Sequence, residues 1–433
     1  MFYVIIMEAI IVLTLIGIIG MFLCILFFPT ITIKGKTFDT FYIPVLLVAI
    51  ILLLFPLFDK HEFINILTSN SNMNPLKILV LFISISFISI VLDTSGFFSY
   101  IATIFINKYK ASQFKLFVFL YSLISILTIF TSNDIVILTF TPFILHFARK
   151  GNINPIPYLV MEFVAANTYS MLLVIGNPTN IYLASIFNLS FIEYFKTMFI
   201  PVIIVGLSSF LILNLLFHKD LSKKIEVFDI EKSKITNQFI MTTSLVHLGL
   251  VTILLAISSY INLEMWLISF VFALSLLIIL IFYSIIKKNN SYLLNPIKRI
   301  PYNLIPFVLS MFTLINALDS FDFFKNITLM LHDNSFLYLL TSTLLCNIVN
   351  NIPMTLAFGS ILENTQNISL IYATIIGSNI GAILTPVGAL AGIMWMRLLK
   401  INNVKYTFKE FSKNGLIITL FLLFGSSISL LII

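Results

Sequence analysis

The chain has 433 residues, 59% of them hydrophobic and only 10% charged, with 25 Lys and Arg against 18 Asp and Glu. Soluble domains carry roughly 25% charged residues, so a chain this apolar cannot clothe itself for water and takes the bilayer as its solvent. In such a chain the basic excess points to cytoplasmic loops, not to nucleic acid. Apolar runs long enough to cross a bilayer fall, in chain order, near 3–28, 41–58, 76–94, 156–186, 197–217, 239–262, 265–286, 302–318, 369–398 and 414–432. The first is too long for the core of a signal peptide and has no basic stretch ahead of it. Cys24 and Cys346 sit in apolar runs without metal spacing, which predicts free core thiols.

Two further apolar stretches are interrupted. Residues 114–148 break at Thr131-Ser132-Asn133-Asp134, and residues 335–362 break at Asn347-Ile348-Val349-Asn350-Asn351-Ile352-Pro353. Each half is about 14–17 residues, short for a crossing at 1.5 Å per residue. Polar backbone at membrane depth is tolerated only inside protein or beside a water-filled cavity. Both stretches are therefore expected to be re-entrant helical hairpins with their tips near the midplane.

Charge placement agrees with that reading. With the N-terminus outside, each span crossing once and each hairpin returning to its own side, twenty-one of the 25 basic residues face the cytoplasm. Only Lys60, Lys77, Lys196 and Lys325 fall on the other side, a strong positive-inside asymmetry. It predicts a multi-pass protein of the plasma membrane with both termini extracytoplasmic. The first hairpin then enters from the cytoplasm and the second from outside.

An internal repeat points the same way. Leu92-Asp93-Thr94-Ser95-Gly96-Phe97-Phe98 recurs as Leu318-Asp319-Ser320-Phe321-Asp322-Phe323-Phe324, and Asn133-Asp134-Ile135 recurs as Asn350-Asn351-Ile352. Asn167 precedes Gly176 by nine residues, as Asn379 precedes Gly388. The expected fold class is an all-α polytopic membrane protein of two inverted repeats, each with five transmembrane helices and one re-entrant hairpin. The first repeat is 1–217, with its broken helix at 156–186. A charged cytoplasmic linker, 218–238, leads to the second repeat, 239–433, with its broken helix at 369–398.

The polar residues at membrane depth fall into four clusters. In the first repeat they are Ser132, Asn133 and Asp134, then Asn167 and Thr168 with Gly176, Asn177, Thr179 and Asn180. In the second they are Asn347, Asn350 and Asn351, then Ser378, Asn379 and Gly381 with Thr385 and Gly388. Small and amide residues pack membrane helices routinely. Four clusters repeated in one order argue instead for a binding site, because a broken helix offers free carbonyls to cations and free N–H groups to anions. Asp134 is the clearest intramembrane acid and the candidate for coupling to an ion or proton. Glu162 is read as lying near the cytoplasmic interface. No Gly-rich phosphate loop with Lys-Ser/Thr appears, which argues against ATP-driven pumping by this chain alone.

The stretches LDTSGFF (92–98), SNDIVILTFTP (132–142), GNPTNIYLA (176–184), NNIP (350–353) and IYATIIGSNIGAILTPVGAL (371–390) carry a family resemblance. The chain resembles the ion transporter superfamily, and within it the arsenical pump membrane protein group. The resemblance implies a scaffold domain and a transport domain that moves as an elevator. It implies sodium at the hairpin tips, at Ser132, Asn133, Asn350 and Asn351. It also implies a homodimer and, for an arsenical-pump-like protein, a separate ATPase subunit. Arsenite-exporting relatives tend to carry acids where this chain has Asn167 and Asn379, so its site is the more neutral.

The expectation is thus a secondary active transporter and not an enzyme: an ion-coupled permease for a small oxyanion or arsenite-like solute. Its partners are that small ionic or polar solute and the lipid bilayer, with no nucleic acid. No cofactor is expected beyond a coupling sodium ion or proton. The rival readings are a sodium/proton antiporter and a sodium-coupled importer of dicarboxylates or other organic anions.

Overall fold

A computed structural model describes residues 2–33, 36–55, 57–58, 60–68, 74–109, 112–223, 233–363 and 365–433. Lys34, Lys110, Lys224 and Lys232 of the charge pattern, and the middle of the linker, lie outside these residues.

The first half of the chain opens with α1 (Phe2–Phe27) and an antiparallel ribbon of β1 (Thr30–Ile33) and β2 (Lys36–Asp39). It continues with α2 (Ile43–Leu54), α3 (Lys60–Thr68), α4 (Pro75–Thr94), α5 (Phe97–Tyr109), α6 (Gln113–Phe130), α7 (Asn133–Lys150), α8 (Ile156–Tyr169), α9 (Pro178–Ile186) and α10 (Phe191–Leu221). The second half runs α11 (Gln238–Ile257), α12 (Met265–Ile286), α13 (Ser291–Arg299), α14 (Leu304–Asp319), α15 (Lys325–Leu331) and α16 (Ser335–Val349). It ends with α17 (Asn351–Ile361), α18 (Ile368–Gly381), α19 (Leu390–Ile401) and α20 (Phe408–Leu430). A single 3₁₀ turn parts α8 from α9 (Val174–Gly176) and another parts α18 from α19 (Pro386–Gly388). Both expected broken helices are therefore broken where their Gly and Pro residues fall.

The molecule is built inside out relative to a soluble protein. Eight helical segments among the described residues are long and apolar enough to cross a membrane. Leu207, Leu211 and Leu215 of α10 repeat at one-turn spacing and are all exposed, whereas Asn167, Asn180 and Asn379 are fully buried. Lipid solvates the apolar surface, and polar groups turn inward where they find partners. The chain is an α-helical multi-pass membrane protein.

Three expectations need correction. The run 41–58 is not one continuous helix: α2 has only 12 residues, short of the roughly 20 that a straight helical crossing takes. Phe55, its C-cap, is extended (φ −96°, ψ 149°), as expected of a residue before proline. The all-α class overlooks the β1–β2 ribbon, whose TITI and KTFD segments carry the β-branched and aromatic residues that favour strands. Both halves of the first interrupted stretch are 18 residues, not 14–17.

Packing fixes how the interrupted stretches run. Tyr158, near the start of α8, packs its ring on Phe117 near the start of α6 and on Phe147 near the end of α7. Its hydroxyl donates to the Gln113 carbonyl at 3.1 Å. Both ends of the α6–α7 segment therefore lie together, and α7 runs antiparallel to α6. In the second half, Tyr338 near the start of α16 packs on Phe358 near the end of α17, with ring centroids 5.9 Å apart. The reversal there takes one residue, Asn350, at φ 76° and ψ 155°. That region strains every residue with a Cβ. Asn350 offsets part of the strain by accepting a hydrogen bond from Ile352 N and donating one to the Val387 carbonyl.

Candidate functional site

The site forms where the two helix breaks meet. Asn177 ends the first break and caps α9, its side chain accepting from Thr179 N at 3.2 Å with Pro178 as the first helical residue. Its Nδ2 then donates to Asn379 Oδ1 at 2.9 Å. Asn379 Nδ2 donates to Asn180 Oδ1 at 2.8 Å and to the Ile375 carbonyl at 2.9 Å. Ser378 Oγ lies 3.2 Å from Thr179 Oγ1. These bonds join residues about 200 positions apart in the chain.

The net extends to the first hairpin tip. Asn133 Nδ2 donates to Asn167 Oδ1 at 3.1 Å, and Asn167 Nδ2 donates to the Phe163 carbonyl one turn earlier. Ser170 Oγ lies 3.0 Å from the Asn167 carbonyl and 3.2 Å from Asn379 Oδ1, so its one proton serves either. Asn180 Nδ2 donates to the Ser170 carbonyl at 2.8 Å, closing the first break. Sequence reasoning missed Ser170, although it lies two residues after Thr168 and begins the break.

The second-half residues form an adjoining group. Asn347 Nδ2 donates to the Gly381 carbonyl at 3.0 Å, while its Oδ1 accepts from Thr385 Oγ1 at 2.6 Å. Asn133 and Asn350 stand at the turns of the two interrupted stretches but differ in their bonds: one holds the Asn167 side chain, the other the Val387 backbone. Asn351, beside Asn350, is buried at the start of α17. Gly176 and Gly388 are present for close approach. A Cβ on Gly176 would lie 2.2 Å from the Ser170 carbonyl oxygen, and one on Gly388 would lie 2.8 Å from that of Gly381.

Two buried hydroxyls next to this net, Ser132 Oγ and Thr168 Oγ1, have no hydrogen-bond partner. Buried polar groups are rarely left so, and among the described residues neither hydroxyl finds a partner. Asp134 opens α7, where the helix dipole favours a carboxylate. Its side chain has no hydrogen bond or ion pair among the described residues. Glu162, early in α8, is fully enclosed in the protein.

A family model described as a citrate transporter matches residues 2–369. The chain belongs to the citrate transporter family. The chain is also similar to proteins named arsenical pump membrane protein. That of Yersinia enterocolitica is 26% identical over 365 residues, 79% of this chain and 83% of the relative. That of Escherichia coli (strain K12) is 26% identical over 364 residues with the same coverage. The resemblance read from the motifs therefore holds. The crystal structure of the Alcanivorax borkumensis YdaH transporter shares the fold, with a TM-score of 0.57 across 98% of this chain and 97% of that one, at 13% identity. As a citrate transporter family member the protein is a membrane transporter, and the buried amide net lies where its two halves meet.

Proposed function

We propose that the protein is an ion-coupled secondary transporter of the elevator type, moving a small oxyanion or an arsenite-like solute. The observation that carries this reading is Asn379, fully buried, bonded across the halves to Asn177 and Asn180. A net of amides and hydroxyls in two helix breaks suits a solute that exchanges its hydration shell for neutral donors and acceptors. No Lys, Arg or His among the described residues hydrogen-bonds to the net. A multiply charged organic anion would need such cations to offset its desolvation. Arsenite, uncharged as the trihydroxide near neutral pH, needs none, and a small oxyanion can use the N-terminal ends of α7, α9, α17 and α19.

Several contacts support two inverted repeats with re-entrant hairpins. α8 begins beside Tyr158's partners on α6 and α7, whereas α18 begins where Tyr372 packs on Tyr194 at the start of α10. Asp93 pairs with Arg299 and Asp39 with Arg397, each joining segments that the charge pattern puts in the cytoplasm. Lys77 pairs with Glu264 between segments assigned to the other side. We assign the repeats to 1–217 and 239–433 about the linker 218–238, with both termini extracytoplasmic in the plasma membrane. The coupling ion is a sodium held by Ser132, Asn133, Asn350 and Asn351, or a proton on Asp134. A homodimer and a separate ATPase subunit rest on the resemblance alone.

The family description favours one second reading, a sodium-coupled organic-anion importer. Proteoliposomes assayed with arsenite and with citrate, sodium and pH gradients being varied separately, decide between them. Gradient-driven arsenite flux is expected. Citrate flux without arsenite flux selects the importer, and no flux under any gradient rejects secondary transport of either solute.

A further inference from the structure

α8 carries a second acid that the amide net does not use. Glu162 is fully enclosed, five residues or about 7.5 Å of helix before Asn167. Thr141 Oγ1 of α7 lies 3.2 Å from its Oε1 and 3.0 Å from its Oε2. The Trp395 indole N–H of α19 is buried and faces the same carboxyl. Trp395 is held in place by Phe163 and Phe411, whose ring centroids lie 5.3 and 5.6 Å from its own.

These three groups have unequal chemistry. A threonine hydroxyl donates to a carboxylate or accepts from a carboxylic acid, whereas an indole N–H only donates. A protonated Glu162 is satisfied by Thr141 without need of the indole. An ionised Glu162 has use for both donors. The charged side chains on the elements around α8 do not answer it. Lys115 of α6, Asp134, His146, Arg149 and Lys150 of α7, and Glu193, Lys196, His218, Lys219 and Asp220 of α10 form no bond to Glu162. Neither do Arg397 and Lys400 of α19 nor Lys409, Glu410 and Lys413 of α20, and α18 brings only Tyr372, packed on Tyr194. A crevice of about 460 Å³, lined by Leu145, Arg149, Asn152 and Asn402 among others, opens one turn of α7 beyond Thr141.

We propose that Glu162 is a proton-binding site of the transport cycle, with Thr141 and Trp395 as the donors that receive its ionised form. The proton leaves the Glu162 carboxyl for water in the crevice, and the freed carboxylate takes hydrogen bonds from the Thr141 hydroxyl and the Trp395 indole. A buried acid within a membrane is functional by default. The inference rests on the secondary-transport reading for its role in coupling, but not for the proton site itself.

The test therefore needs no solute. Infrared difference spectra of the purified protein in lipid nanodiscs, recorded between acid and alkaline pH, report protonated carboxyls directly. The wild type is expected to lose a buried carboxylic-acid band as pH rises. E162Q lacks that band, D134N keeps it, and W395F keeps it with a displaced midpoint. An unchanged band in E162Q, or its disappearance in D134N alone, overturns the proposal. Should E162Q fail to fold, W395F decides, because a midpoint identical to wild type removes the indole from the site. In arsenite-loaded proteoliposomes, E162Q is expected to keep solute exchange and lose the response to a pH gradient. A complete absence of arsenite flux in the wild type would reject the transport reading while leaving the infrared result standing.

Discussion

Asn379 and Asn180 share a 2.8 Å hydrogen bond although 199 residues separate them in the chain. Each side chain has further bonds in its own half: Asn379 to the Ile375 carbonyl, Asn180 to the Ser170 carbonyl. The pair is thus the joint through which one helix break senses the other. Buried amides in such a net couple, because removing one leaves the other without its partner.

A double-mutant cycle with Asn379→Ala and Asn180→Ala measures that coupling. Each single variant strands a buried amide at a cost of about 1–3 kcal/mol, or roughly fivefold to hundredfold in affinity for arsenite. The double variant is expected to fall short of the sum by about 0.5–3 kcal/mol. Isothermal titration on solubilised protein gives the numbers. Strict additivity would show that the two halves bind independently.

Gly176 gives a stability prediction with its own control. Gly176→Ala drives a methyl into the Ser170 backbone, which cannot rotate away as a side chain could. Loss of about 1–3 kcal/mol or more is expected, read as reduced thermal stability and poor recovery from the membrane. Gly249 lies on the exposed face of α11 with nothing within 4 Å. Gly249→Ala should be neutral or stabilise by about 0.5–1 kcal/mol through the helix backbone. Equal behaviour of the two variants would mean that the break at 170–177 relaxes freely.

The helix breaks and the hairpin tips were legible because Gly, Pro and Asn interrupt long apolar runs, and nothing but a cavity or a protein interior excuses such an interruption. The α8–α9 and α18–α19 breaks fall at the expected Gly176 and Pro386. Short-range competition hid other features. The TITI strand reads as the tail of an apolar run, and α2 looks like part of a longer helix until Phe55 is seen to turn extended. Ser170, Thr141 and Trp395 gained meaning only from partners that the chain brings near them. A lone Ser, Thr or Trp in an apolar helix carries no signal of that kind.

Topology is open to chemical labelling. With Cys24 and Cys346 replaced by Ala, Lys223→Cys and Lys325→Cys are expected to react with an impermeant maleimide from opposite sides of the membrane. The basis is the charge asymmetry, with Lys223 beside the α6 start (its carbonyl accepts from Gln113 Nε2) and Lys325 opening α15. Labelling of both from one side would falsify the inverted repeat.

Asp134→Asn tests how charge is balanced at the site. The carboxylate of Asp134 stands at the first turn of α7 beside Ser132, whose buried hydroxyl also lacks a partner. Helix-dipole stabilisation is worth only about 0.3–1 kcal/mol, and under the proposed function a sodium ion or a proton would complete the balance. The substitution keeps the shape, removes the charge and reproduces Asn351, the equivalent tip residue of the second half. Arsenite exchange at equal concentrations across the membrane should persist, because the amide net is intact. Accumulation against a gradient should be lost, with the sodium response disappearing if Asp134 balances sodium and the pH response disappearing if it carries the proton. Comparison with E162Q divides the work between the two acids. If Asp134 serves sodium and Glu162 the proton, each variant loses one response and keeps the other, and the double variant becomes a passive exchanger. Full accumulation by Asp134→Asn with both responses unchanged would make the acid structural and leave coupling to neutral ligands and Glu162.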